Sequence, residues 1–316
     1  MNFPVFDLHC DTALALLGES LCEAGSLRKN EYHIDLERAK SLPGYAQCFA
    51  CFTTPLEKLP DGITVSELFE REMVTVLREV EKNRDLISLA YSASEIEENR
   101  KNGKMSAVLT IEGPAGFGFD PALLEDLYKI GFRITTLGWN EKNELCGSHK
   151  TGGGLTALGK EYVFEAQRLG MLIDVSHISD DAFWDIMEIT QGPVIATHSN
   201  SRAVHNVSRN LTDDMFKAIC KTGGVAGLNM YARFLGENAT LDTVCDHVLH
   251  WLDLGGAKHI ALGGDLDGCD ALPVDFAGVQ DYKKLAERLL DRGVSEQTVQ
   301  DIFWNNAMGV IEKCCM

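Results

Sequence analysis

The sequence predicts an α/β fold and, within that class, a closed (β/α)8 TIM-type barrel forming a single domain over residues 1–316. Three observations point there. Eight short apolar runs alternate with longer amphipathic runs along the chain, the pattern of a parallel sheet whose strands are joined by helices. Each short run is largely apolar, as strands covered on both faces must be. No Gly-x-Gly-x-x-Gly follows the first run, so a dinucleotide-binding open sheet is disfavoured, and a doubly wound sheet is the second choice.

The strand-like runs are residues 5–9, 47–52, 105–111, 133–137, 171–175, 194–197, 225–229 and 260–263, and residues 86–91 compete for a place among them. Helical periodicity falls at 35–42, 66–83, 121–130, 157–169, 180–189, 213–222, 241–254 and 282–292, and a closing segment runs from Ser295 through Val310. Ser94-x-x-Glu97 has the form of a capping box. Gly131, Gly170, Gly192, Gly223 and Gly255 stand just after helical runs, where a left-handed cap favours glycine. Cys48 and Cys51 lie three apart in an apolar strand, so their sulfurs face opposite ways and serve packing rather than a metal or redox pair.

Composition narrows the function. Asp and Glu number 47 against 29 Lys and Arg, giving a formal net charge of −18. Such a surface opposes nucleic acid and anionic membrane as partners. No run of eighteen apolar residues exists, and the first residues carry neither a basic nor an apolar signal region. Ten cysteines without such a signal suit reduced thiols. These features together predict a cytoplasmic protein.

The polar residues are sorted by position. In a barrel of this kind chemistry sits at the C-terminal strand ends. The first run ends in His9-Cys10-Asp11, and alternation turns His9 and Asp11 to one face and Cys10 away. Six of the other seven end in Glu112-Gly113-Pro114, Trp139-Asn140, Asp174-Val175-Ser176-His177, Thr197-His198-Ser199, Asn229-Met230-Tyr231 and Gly264-Asp265-Leu266-Asp267-Gly268. His33, His149, His247, His250 and His259 lie instead in loops, helices or strand entries. Each strand-end residue alone has an ordinary explanation: Asp11 a helix cap, Glu112 a turn residue, His177 a satisfied core histidine, Asp265 a turn cap. Five metal-type residues at equivalent positions favour a shared centre. Three His, one Asp and one Glu without thiolate suit Zn²⁺, with Mn²⁺ or Co²⁺ as alternatives, and suffice for two ions if one carboxylate bridges. The segment from Asp265 to Asp270 has the wrong spacing for a calcium loop, and Thr151-Gly152-Gly153-Gly154 lacks the Lys-Ser/Thr of a phosphate loop.

These motifs, in order and over nearly the whole chain, resemble the membrane (renal) dipeptidase family of zinc peptidases. The resemblance rests on Asp7-Leu8-His9-Cys10-Asp11, Ile111-Glu112-Gly113, Asp174 to His177, His198-Ser199-Asn200, Arg209-Asn210-Leu211 and Gly263 to Gly268. It implies a barrel of the metal-dependent hydrolase (amidohydrolase-like) kind holding two Zn²⁺. His9 and Asp11 would hold one ion, His177 and His198 the other, and Glu112 would bridge. The implied reaction is hydrolysis of dipeptides, including those with a D-residue at the C-terminal position, by attack of a metal-bridging hydroxide. Asp265 would pass a proton to the leaving amine and Arg209 would bind the substrate carboxylate. Trp139, Asn140 and Tyr231 would line the substrate site. Trp139 stands where renal-type members carry a substrate-contacting His, as in a bacterial-type branch, and indole cannot accept a proton. A homodimer is the family's tendency. The competing readings are hydrolysis of another small carboxylate-bearing amide, lactam or lactone, and a non-catalytic metal-binding barrel.

Overall fold

The computed structural model describes residues 3–18, 20–21, 25–53, 59–60 and 62–315. Met1 and Asn2, among the first residues read above, lie outside the described residues, as do Cys22 and Met316. Eight parallel strands form the barrel: β1 (Val5–Cys10), β2 (Tyr45–Phe52), β3 (Met105–Glu112), β4 (Phe132–Thr136), β5 (Leu172–Asp174), β6 (Val194–Ile195), β7 (Ala226–Leu228) and β8 (Ile260–Leu262). Their order is β7-β8-β1-β2-β3-β4-β5-β6, with every neighbouring pair parallel. A parallel bridge from Ala196 to Ala226 joins the two ends of this row, so the ring is nearly closed. The competing run supplies a short strand, Ile87–Leu89, which pairs with the first residues of β3, while β4 pairs with its last residues.

Two apolar layers account for the architecture. Phe6, Leu8, Ala46, Cys48, Val108, Ile134, Leu172, Ile195 and Ala261 meet inside the barrel. Trp304, Val310 and Ile311 from the closing helical segment join that cluster, so the chain's last helix (Asn306–Cys314) packs against the interior. The larger cluster lies between the strands and the surrounding helices and includes Cys51, Val76, Tyr162, Phe216 and Trp251. Cys48 and Cys51 fall in different layers, as alternation requires.

One local reading needs correction, and two features go beyond what the sequence shows. The capping residue before helix Ala93–Lys101 is Ser92, whose hydroxyl accepts from Glu95 N, not Ser94 with Glu97. That register buries Ala93 and Ile96. The segment after β4 contains an antiparallel hairpin, Cys146–Ser148 with Gly152–Leu155, that apolar periodicity does not reveal. A Cβ on Gly147 would stand 1.9 Å from Gly152 O, so glycine there permits the close approach of the two arms. Finally, β1 does not alternate simply. Its pairing with β2 shifts between Asp7 and Cys10, so Phe6 and Leu8 join the interior while Cys10 joins the outer layer.

Among the described residues no helix is long and apolar enough to cross a membrane.

Candidate metal centre

Beyond the shift in β1, His9 and Asp11 meet, with His9 Nε2 3.4 Å from Asp11 Oδ2. Asp11 immediately precedes helix Thr12–Leu17, yet its carboxylate makes no capping hydrogen bond. Glu112, the last residue of β3, faces two ways. Its Oε2 lies 3.4 Å from His9 Nε2, and its Oε1 lies 3.0 Å from His177 Nε2 and 3.6 Å from His198 Nε2. The Nε2 atoms of His177 and His198 are 2.9 Å apart. His9 stacks on His198 with ring centroids separated by 3.7 Å. Asp265 brings Oδ1 to 3.9 Å from His9 Nε2, and its Oδ2 accepts from Asn229 Nδ2 at 2.9 Å. All six side chains are buried. His177 and Asp265 have positive φ, 69° and 56°, a conformation that costs energy for residues with a Cβ and collects at functional sites.

The donor set fits divalent cations. His9, Glu112 and His198 form one potential ligand group, and His9, Asp11 and Asp265 another, each with ligand atoms within 4.8 Å of one another. Buried His9 Nε2 has no hydrogen-bond partner, a costly arrangement unless something else fills it. The tautomer of His198 follows from its neighbours. Thr197 Oγ1 donates to Asp174 Oδ2 at 2.5 Å, so its single proton is used, and His198 Nδ1, 2.7 Å away, must donate to it. His198 Nε2 is then a bare lone pair. His177 Nδ1 similarly donates to Asn140 Oδ1 at 3.1 Å, leaving its own Nε2 bare. Two lone pairs at 2.9 Å beside a carboxylate oxygen repel unless a cation lies between them.

Charge points the same way. Burial holds the pKa values of His177 and His198 well below the ordinary range, aided by Arg209, so both rings are neutral as ligation requires. Burial opposes charging His9, but the Glu112 and Asp11 carboxylates outweigh it and raise its pKa. Burial pushes the Glu112 carboxyl up to about 7, with Asp11 and Asp265 adding repulsion against His9's opposing pull. Burial likewise pushes Asp265 up to about 6. Crowded buried carboxylates of this kind await a compensating positive charge.

Above the cluster lies a cavity of about 200 Å³ lined by Asp11, Leu14, Phe52, Glu112, Trp139, Asn140, His177, Tyr231, Phe234, Asp265, Asp267 and Gly268. Trp139 stands edge-on to Phe52 at 5.0 Å and lies 6.1 Å from the His177 ring. Tyr231 packs edge-on against Phe234 at 4.7 Å. Arg209 is not on the cavity wall. It is buried with its guanidinium 5.8 Å from the centre of the Phe234 ring, and Nη1 donates to Ser199 Oγ at 2.7 Å. Its Nε and Nη2 have no partner, and burial lowers its pKa. A larger cleft of about 790 Å³ opens at Gly170, Met171, Gln191 and Pro193, by the entry ends of β5 and β6, and holds none of these groups.

Four supporting residues receive no role from the strand-end reading. Asp7 and Asp174 are fully buried within or at the end of their strands, and a charge inside an apolar run is the signal that marks them. Asn229 is visible only as a polar strand-end residue. His149, grouped above with histidines away from the strand ends, reaches the site on the hairpin, where its Nε2 donates to Asn140 Oδ1 at 2.8 Å. Burial, with Arg209 and Lys150 nearby, lowers its pKa to about 4. Asp267, by contrast, spends its oxygens on His33 N and Thr12 Oγ1, each at 2.6 Å.

Comparison with known proteins gives the family. The family described as membrane dipeptidase (peptidase family M19) matches residues 1–315. An uncharacterised dipeptidase of Schizosaccharomyces pombe is 31% identical over 299 residues, which cover 89% of this chain and 72% of that protein. A second uncharacterised dipeptidase of the same yeast is 32% identical over 231 residues, 71% of this chain but only 56% of its own length. A Rhodobacter sphaeroides metallopeptidase, solved with a phosphinate mimic of the dipeptide L-Ala-D-Ala, aligns with a TM-score of 0.88 and 25% identity over 99% of this chain and 100% of that one. With a buried His/Asp/Glu cluster at the strand ends of an eight-stranded barrel and a family match along its length, the chain belongs to the membrane dipeptidase family, peptidase family M19.

Proposed function

We propose that the protein is a binuclear metallodipeptidase, with Zn²⁺ as the metal best suited to its donors, cleaving dipeptides that include those with a C-terminal D-residue. The observation that carries this reading is Glu112, whose two oxygens face His9 on one side and the His177–His198 pair on the other. His9 and Asp11 would hold one ion, His177 and His198 the second, and Glu112 would be common to both. When bound, the ions would polarise the scissile carbonyl and acidify a water.

The chain's own groups supply the rest. Asp265, held by Asn229 beside the cluster, is suited to take a proton from the attacking water and give it to the leaving amine nitrogen. Arg209 offers two unpartnered N–H groups from a buried guanidinium, the chemistry that recognises a terminal carboxylate. Trp139 and Phe52 form an apolar wall that limits water and side-chain size, with Asn140 and Tyr231 completing the substrate surface. Trp139 contributes no proton transfer, so Asp265 is the acid/base. The mimic bound by the Rhodobacter sphaeroides relative supports including the D-configured substrates. The test is a panel of L-X-L-X and L-X-D-X dipeptides with metal-loaded protein. Cleavage of some members is expected, and cleavage of none overturns the peptidase reading.

A further inference from the structure

The hairpin after β4 reaches the metal centre through one side chain. His149 lies between its arms, and its backbone N–H donates to His177 O at 2.8 Å. Hairpin residue Gly147 likewise accepts from Ser179 N at 3.0 Å, so the turn is stitched to the segment that carries His177. The His149 imidazole then uses both of its nitrogens. Nε2 donates to Asn140 Oδ1 at 2.8 Å, and Nδ1 accepts from Ser208 Oγ at 2.9 Å. Asn140 Oδ1 has two lone pairs, and the second takes the Nδ1 proton of His177 at 3.1 Å. Ser208 directly precedes Arg209. An unbroken line therefore runs from the metal-facing ring of His177, through Asn140 and His149, to the loop that carries the buried guanidinium.

We propose that His149 is a positioning residue that fixes the His177 ligand ring and the Arg209 loop relative to each other by way of Asn140 and Ser208. This rests on the metallodipeptidase reading for the role of Arg209, but its metal-side half does not need a substrate. The physical basis is the orientation of Asn140. An amide free to turn would present its NH₂ to His177 Nδ1 and favour the wrong tautomer. A second donor at Oδ1 penalises that turn, because His149 Nε2–H would then face an N–H group. Supporting hydrogen bonds of this type to a metal-ligating His change metal affinity by about 10–100-fold. The position also explains why a histidine far from any strand end is half-buried beside the centre.

The test compares His149→Ala, His149→Gln and Ser208→Ala with the wild-type protein. Zn²⁺ affinity is measured by competition with a chromophoric chelator, and kcat and KM are measured on a cleaved dipeptide. His149→Ala is expected to weaken one Zn²⁺-binding step by about 10–100-fold. His149→Gln, whose side-chain N–H can still donate to Asn140, is expected to recover most of that loss. Ser208→Ala is expected to leave Zn²⁺ affinity unchanged and to raise KM with little change in kcat. Zn²⁺ affinity of His149→Ala equal to the wild type overturns the proposal, as does an equal loss in His149→Gln. If the wild type binds Zn²⁺ but cleaves no dipeptide, the functional reading fails while the chelator titration still decides the role of His149.

Discussion

Replacing Glu112 by Gln is expected to stabilise the metal-free protein and to weaken the metal-loaded one. Burial, with the neighbouring Asp11 and Asp265, raises the Glu112 carboxyl from 4.5 to about 7. Between those values the folded, metal-free protein keeps a proton that the unfolded chain gives up. The stability this confers is present at low pH and is lost as pH rises through the folded value. At about 1.4 kcal/mol per pKa unit, the displacement corresponds to roughly 3 kcal/mol of destabilisation once the group is fully ionised. Gln copies the protonated acid in shape and charge. The stability difference between variant and wild type should therefore be small at pH 5 and grow toward about 3 kcal/mol at pH 8. That figure is an upper bound, because protonated His9 loses its 3.4 Å partner in the variant. Urea unfolding of chelator-stripped proteins at the two pH values measures the difference. Saturating Zn²⁺ should reverse the order, since ligation stabilises the wild type by mass action. Parallel pH profiles for the two stripped proteins, or a less stable variant at pH 8, would refute the reasoning.

Other expectations follow from single contacts. Asp265→Asn should retain both metals by elemental analysis and lose about 10²–10⁴-fold in kcat; loss of metal would instead make Asp265 a ligand. Arg209→Met removes charged hydrogen bonds worth about 1.5–3 kcal/mol, so KM for dipeptides should rise by roughly 10–100-fold while dipeptide amides change little. An equal effect on both substrate types would remove Arg209 from carboxylate recognition. Gly263→Ala would place a Cβ 1.6 Å from Thr197 O beside the seam of the barrel. A loss of about 3 kcal/mol or more in unfolding free energy is expected, and an unchanged value would mean that the backbone there yields easily.

The barrel was legible because its evidence is distributed. Each strand is a buried, largely apolar run, and most of the runs end in a residue whose chemistry is out of place in a core. The sequence is silent or ambiguous where one residue's placement depends on a distant partner. Alternation alone puts Asp7, His9 and Asp11 on one face, yet the shift in pairing with β2 sends Asp7 to Tyr282 and Gly264 and leaves His9 and Asp11 facing Glu112. Ser92 and Ser94 both satisfy the local grammar of a helix start, and the choice falls to Ser92 because that register puts Ala93 and Ile96 in the core. The hairpin is invisible to periodicity because Gly152, Gly153 and Gly154 carry no side chains. His149 could not be assigned to the site without knowing where the turn folds back.

Asp7 and Asp174 brace the strand ends on either side of the His/Asp/Glu cluster. Each is a fully buried carboxylate whose Oδ1 accepts the backbone N–H two residues on: His9 N at 3.0 Å for Asp7, Ser176 N at 2.9 Å for Asp174. Each Oδ1 also crosses to the end of the next strand, Asp7 to Gly264 N at 2.9 Å and Asp174 to Thr197 N at 2.8 Å. The Oδ2 atoms are held in turn, by Tyr282 in one case and by Thr136 at 2.6 Å and Thr197 at 2.5 Å in the other. Burial raises the pKa of Asp7, while Tyr282 and the two backbone donors pull it down. A buried carboxylate is costly unless its lone pairs are used, and here the same bonds that use them tie β1 to β8 and β5 to β6. Through Thr197 the second brace also dictates which nitrogen of His198 is bare. The direction of these ring nitrogens is thus set by residues outside the cluster. Preorganisation of this kind lets mutually repelling carboxylates and lone pairs remain assembled in the folded chain, ready to be neutralised together.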